Sequence, residues 1–179
     1  INPGNSGGPL LNLEGEVIGI IGRNGAGKTT LMNILYGLYH PDEGTVRLKG
    51  KEVRFASPRE AIHSGIGMVH QHFMLVPTLT VAENVALGLK SSRGVLTDLG
   101  VVSERIDELA GEYGLGIDPS ALIWQLSVGE RQRVEIIKAL YRQADILILD
   151  EPTAVLTPQE VNEFFATLRQ MVSDGHAVI

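Results

Sequence analysis

The chain contains no cysteine, which excludes disulfides, thiolate zinc sites and a cysteine nucleophile and leaves the redox compartment open. It also lacks a long hydrophobic run. The longest apolar stretches, Val17–Ile21 and Ile146–Leu149, are far too short to cross a bilayer. The opening Ile-Asn-Pro-Gly-Asn has no basic stretch followed by an apolar one, so no secretory signal is expected. Positive charge is scarce. The 15 Lys+Arg against 21 Asp+Glu leave a net charge of −6, which argues against a protein that coats nucleic acid. What is present is ordinary for a globular domain: 44% hydrophobic and 20% charged residues over 179 positions, enough to bury a core. Glycine is the exception, with 21 copies, eight of them in the first 27 residues.

After Gly27 short apolar strands alternate with amphipathic helices. Strands are predicted at Glu16–Ile21, Thr45–Lys49, Ile66–His70, Asp145–Leu149 and Ala177–Ile179. Val-Ile-Gly-Ile-Ile and Ile-Leu-Ile-Leu are continuously apolar, as in strands covered on both faces of a parallel sheet. Helix starts are marked by capping-box spacing at Ser57–Glu60, Thr80–Glu83, Ser127–Glu130 and Thr157–Glu160. Pro58 and Pro158 stand at first helical positions, where a missing N–H costs nothing. Apolar stripes follow: Leu31, Ile34, Leu35 and Leu38; Ile106, Leu109, Ala110 and Tyr113; and Val161, Phe164, Phe165, Leu168 and Val172. Between about Phe73 and Arg142 strands disappear, which predicts a helical subdomain within an α/β core.

Two motifs carry chemistry. Gly22-Arg-Asn-Gly-Ala-Gly-Lys-Thr29 fits G-x-x-x-x-G-K-[ST], placed between an apolar strand and a helix as that motif requires. Its glycines let backbone amides turn inward around a phosphate, and the helix start adds a positive dipole end. Gly22, Asn24, Gly25, Ala26, Gly27, Lys28, Thr29 and Thr30 are therefore the candidate nucleotide-binding residues. Lys28 offers a charge to the β- and γ-phosphates, and the Thr29 hydroxyl a ligand for Mg²⁺. The second motif is Ile146-Leu-Ile-Leu-Asp-Glu151, in which a strand delivers adjacent carboxylates at its C-terminal end, where open α/β sheets bind ligands. Asp150 is the candidate metal ligand and Glu151 the candidate polariser of water.

With these motifs, about Gly15 to Ile179 resembles the nucleotide-binding ATPase domains of ABC transporters. Leu126-Ser-Val-Gly-Glu-Arg-Gln-Arg133 is similar to that family's signature, and Val69-His-Gln71 to its Q-loop. The resemblance implies a P-loop NTPase core with a parallel sheet flanked by helices, and residues 21–179 forming a partial ATPase domain with its helical subdomain at about 73–142. It implies ATP and Mg²⁺ as cofactors, and a metal-coupling role for Gln71. It also implies that Ser127 and Gly129 contact the γ-phosphate of a partner's ATP. The implied partners are a second ATPase domain and transmembrane permease subunits, with no nucleic acid. The implied location is cytoplasmic, peripheral on the inner face of the plasma membrane. Met68–Asn84 and Asp150–Glu160 resemble bacterial importers for simple sugars and nucleosides, and His-Gln-His-Phe leans toward the nucleoside branch.

Departures from the pattern are specific. Val128 and Glu130 stand where the family usually has Gly and Gln, and Thr157 where it usually has Asp. No aromatic precedes the phosphate loop to stack on adenine; the first is Tyr36. The family's switch histidine follows a strand that the chain enters only at its last residues, so a C-terminally truncated domain is expected. His176 is expected to face solvent from a loop, and Trp124 to pack in the core or subdomain. His40, His63, His70 and His72 lack metal-ligand companions and are expected at the surface or in loop packing. A nucleotide-binding domain without hydrolytic competence is the alternative reading.

Residues 1–20 resemble something else, the nucleophile region of HtrA-type, trypsin-like serine proteases. There Gly-Asn-Ser-Gly-Gly would make Ser6 a nucleophile. A serine needs a base and an orienting acid, which in such chains lie upstream, so no proteolysis is expected. The two resemblances overlap at Gly15-Glu-Val, which suggests a chimera joined through a shared turn and strand.

Overall fold

The computed structural model describes residues 23, 25–71, 73–89, 98–154 and 156–179. Helix α1 spans Lys28–Leu35 and leads to a hairpin of β1 (Val46–Leu48) and β2 (Lys51–Val53). Then follow α2 (Pro58–His63), β3 (Ile66–Val69), α3 (Val81–Ala86), α4 (Leu99–Glu112) and α5 (Val128–Tyr141). The described chain closes with β4 (Ile146–Leu149), α6 (Pro158–Ser173) and β5 (Ala177–Val178). The strand predicted at Glu16–Ile21 and the protease-like residues 1–20 lie outside the described residues.

The three strands β3, β4 and β5 are parallel in that order, with Ile66 opposite Ile146 and Leu147 opposite Val178. All of β3 is buried, and the two-residue period sorts its side chains to two faces. Ile66 and Met68, with Ile148 of β4, join Met32, Phe55 and Ala61 on the α1–α2 side. Val69, Leu147 and Val178 join the larger core made with α3, α4, α5 and α6. This double covering explains why β4 reads as a continuous apolar run. Gly67 permits it, since a Cβ there would stand 2.8 Å from the Ala139 Cβ of α5. Between Phe73 and Arg142 the described elements are helical, and α3, α4 and α5 pack on one another.

Three of the four predicted capping boxes form. Thr80, Ser127 and Thr157 each accept from the N3 amide while Glu83, Glu130 and Glu160 reach back to the cap amide. The fourth does not. Ser57 makes no side-chain cap, and Glu60 instead accepts from the Ala56 amide at 2.8 Å. One turn is enough to divert the carboxylate to the residue before the cap.

Other expectations are corrected. The strand at Thr45–Lys49 shortens to β1 and pairs antiparallel with β2, outside the parallel sheet. Lys49 and Gly50, both at positive φ, make the two-residue turn that forces this return. In α1 the buried residue is Met32, while Leu38 lies beyond the helix end and is exposed. Phe165 is exposed too, and Met171 takes its place in the α6 core. The α4 stripe of Ile106, Leu109, Ala110 and Tyr113 is buried as predicted.

Candidate active site

The site forms where the C-terminal ends of β3 and β4 meet the start of α1. Parallel pairing brings both strand ends to one edge, and the Asp150 amide donates to the Val69 carbonyl at 3.1 Å to lock them together. Gly27 caps α1 in the left-handed conformation, and Gly25 is also at positive φ. Among the described residues a Cβ at either would meet nothing within 4 Å, so the glycines serve the backbone turn. Of the predicted loop residues, Gly22 and Asn24 lie outside the described ones. Ala26, Thr29 and Thr30 are placed at or beside the start of α1, and the Lys28 ammonium donates to the Arg23 carbonyl at 3.3 Å.

The structure brings the two motifs together across 121 residues of chain. The Thr29 hydroxyl donates to Asp150 Oδ1 at 3.3 Å. Asp150 is buried, with that hydroxyl as a side-chain partner. Gln71 extends from the end of β3, and its Nε2 donates to Glu151 Oε2 at 3.0 Å. Glu151 sits at φ 49, a left-handed backbone rarely adopted by residues with a Cβ. Such a conformation costs on the order of 1–3 kcal/mol and clusters at functional positions. Here it turns the chain just past β4, leaving the carboxylate exposed beside Gln71.

Ser127 and Gly129 begin α5 at another place in the fold. The Ser127 hydroxyl accepts from the Glu130 amide, and Glu130 Oε2 accepts from the Ser127 amide at 2.7 Å. These bonds from Ser127 hold the Glu130 carboxyl below its usual range. Gly129 is buried against α6, where a Cβ would come within 2.6 Å of Glu160 Oε1. Trp124, expected to pack inside, is 58% exposed. His176, expected in solvent, is part-buried: Nδ1 bonds the Ala144 carbonyl at 2.9 Å and Nε2 meets the Tyr113 hydroxyl at 3.3 Å. Arg133 pairs with Glu163 at 3.0 Å. His70 is half-buried and stands edge-on to Tyr36, with ring centroids 5.7 Å apart. Burial holds its imidazole below the ordinary value, against the opposing pull of Glu135 and Asp150. His72 lies outside the described residues.

The oxygen-rich set of Thr29, Asp150 and Gln71 suits a hard cation such as Mg²⁺, which takes few protein ligands and completes its shell with phosphate and water. Among the described residues no cluster of three His, Cys, Asp or Glu offers a closed metal cage. The donor set thus fits a metal that arrives with a phosphate ligand.

The sequence profile of the ABC transporter family matches residues 12–154, a stretch holding the glycine loop, Gln71, Ser127 and Asp150-Glu151. The chain belongs to the ABC transporter family. Its fold is that of the family's ATPase cassettes. A solved ATP-binding cassette of an ABC transporter in its ADP conformation superposes with TM-score 0.77 at 26% identity, covering 92% of this chain and 69% of that one. A dimeric cassette in a post-hydrolysis state with ADP and Pi gives TM-score 0.75 at 31% identity, covering 94% and 75%. Among curated relatives, the nucleoside import ATP-binding protein NupA of Lactococcus lactis is 52% identical over 94% of this chain and 34% of its own. The glucose import ATP-binding protein TsgD13 of Haloferax volcanii is 50% identical over 93% and 35%. The cassette described here therefore spans about a third of the length of the curated relatives it matches.

Sequence reasoning missed the supports of this ABC site. Gln132 of α5 is buried and donates to the Pro152 carbonyl, one residue past Glu151, at 2.6 Å. Glu135 is buried and accepts from the Met74 amide at 2.8 Å. Lys138 donates to the Met74 carbonyl at 3.1 Å. A signal was present: polar residues every three positions on a helix otherwise lined by Val134, Ile136, Ile137 and Leu140.

Proposed function

We propose that this chain binds ATP with Mg²⁺ and hydrolyses it as the energy-coupling subunit of an importer for nucleosides or simple sugars. The observation that carries the reading is the convergence of Thr29, Asp150, Glu151 and Gln71 beside the open glycine turn. Lys28 and the amides of Gly25–Thr30 bind the phosphates, together with Gly22 and Asn24. Thr29, Asp150 and Gln71 are the residues that would hold Mg²⁺, Asp150 through water. When bound, the ion neutralises charge developing on the transferred phosphoryl group. Glu151 orients and polarises the attacking water, and its hydrogen bond to Gln71 holds the carboxylate in place.

Ser127 and Gly129 face the nucleotide of a second ATPase domain, a pairing supported by the dimeric cassette structure. Residues 73–142 act as the helical subdomain that carries this signature. Permease subunits are the remaining partners, which puts the chain at the cytoplasmic face of the plasma membrane; the import functions in the relatives' names support this. No described helix is long and apolar enough to cross a membrane. Residues 1–20, of which 1–11 lie ahead of the family match, carry the protease-like resemblance, with Ser6 expected to resist fluorophosphonate labelling. The test of the whole reading is Mg-ATP titration: Lys28→Ala removes binding, and unchanged affinity in that variant would refute it.

A further inference from the structure

Helix α5 touches both loops that present the catalytic pair, and it does so with three side chains on one face. Gln132 holds the Pro152 carbonyl at 2.6 Å, one residue beyond Glu151. Glu135 and Lys138 take both main-chain polar atoms of Met74, the amide at 2.8 Å and the carbonyl at 3.1 Å, three residues beyond Gln71. Glu135 and Lys138 also pair with each other at 3.5 Å. The clamp is not incidental surface polarity, since Glu135 is 4% exposed and Gln132 3%. Next to it lies a cavity of about 170 Å³ lined in part by Tyr36, His70, Met74, Glu135, Lys138 and Arg142. Of the segment after Gln71, Met74 borders this space. The segment is held by the clamp at Met74, by Leu75 packed against the larger core, and by Asn84, which in the same manner bonds the Val76 amide at 2.7 Å and carbonyl at 3.1 Å.

We propose that Gln132, Glu135 and Lys138 are positioning residues that fix the spacing between Gln71 and Glu151. The inference rests on the proposed hydrolytic function. A rise of about 1.5 Å per residue puts Gln132 and Lys138 about 9 Å apart along α5. The helix therefore acts as a ruler with one end near each loop. Neither Glu135 nor Lys138 touches Gln71 or Glu151; they act through main-chain atoms of the segment that Gln71 leads.

The test compares Glu135→Ala, Glu135→Gln and Lys138→Met in the full chain by two readouts. Steady-state Mg-ATP turnover is expected to fall about tenfold in kcat for Glu135→Ala and Lys138→Met, with KM within about twofold, because misplacement affects chemistry more than nucleotide capture. Glu135→Gln keeps an acceptor for the Met74 amide and is expected to recover most of the rate. Hydrogen exchange of the segment 70–76 is expected to rise about tenfold in Glu135→Ala while amides within α5 keep their protection. Unchanged kcat, or unchanged exchange over 70–76, in a folded Glu135→Ala variant would overturn the proposal. So would equal losses in Glu135→Ala and Glu135→Gln. Absence of turnover in the unmodified chain would count against the proposed function instead, and the exchange measurement still decides the clamp.

Discussion

Two irregular segments of this cassette lie close to the same reaction centre and are built in opposite ways. The turn at Gly25–Lys28 presents glycines at positive φ where, among the described residues, an added Cβ would meet nothing within 4 Å. The segment Phe73–Val76 has the main-chain atoms of Met74 and Val76 held by Glu135, Lys138 and Asn84. Backbone left open to space is available to a ligand. Backbone held by buried side chains transmits position. On the proposed function the first loop binds and the second aligns, and each carries its own energetic consequences.

Mutation of the open turn should damage binding and spare the fold. Lys28→Ala is expected to weaken Mg-ATP binding by about 100-fold or more, roughly 3 kcal/mol, while costing less stability than Glu135→Ala. Calorimetric titration alongside chemical denaturation checks both, and a large stability loss would erase the contrast between the two segments. Glu151→Gln should lower kcat by about 10²–10⁴-fold, the range for loss of a general base, with ATP binding retained. Single-turnover kinetics would show it.

Mutation of the held segment should do the reverse. Glu135→Ala leaves the Met74 amide without its carboxylate and is expected to cost about 1–3 kcal/mol in urea unfolding, with no loss of ATP affinity. Gly67→Ala forces a Cβ to 2.8 Å from Ala139 and should cost about 1–3 kcal/mol by overpacking between β3 and α5. A neutral outcome there would mean the helix yields easily, and the ruler would be soft. The smallest expected effect concerns His70. Its folded pKa is depressed by burial, so the unfolded chain binds the proton more readily. The stability this contributes is present above about pH 6.5 and is lost as pH falls through the lower, folded value. His70→Gln should flatten this part of the stability–pH curve, and a curve of identical slope would refute the assignment.

What could be read in the sequence follows the same division. The glycine turn and the strand-end carboxylates were legible because their residue types are tied to backbone conformation and strand position. The apolar run of β4 announced a sheet covered on both sides, and three capping boxes marked helix starts correctly. Ser57 also stands at a helix start, that of α2, but its box does not close, because the preceding amide of Ala56 takes the Glu60 carboxylate. Trp124 and Phe165 were misplaced because apolar character gives no direction without the neighbouring helix. His176 does lie in the loop before β5, yet it does not face solvent, because Tyr113, 63 residues away, reaches its ring. The clamp was invisible for the same reason: Met74 offers only main-chain atoms, and 61 residues separate it from Glu135.

The measurement that bears most directly on the central claim is Mg-ATP turnover of the unmodified chain against Glu151→Gln, at ATP concentrations that saturate both. Steady phosphate release is expected from the first, and release lowered by at least about 100-fold from the second with nucleotide still bound. Equal release by the two would contradict it, because the strand-end carboxylate beside Gln71 would then have no part in the chemistry.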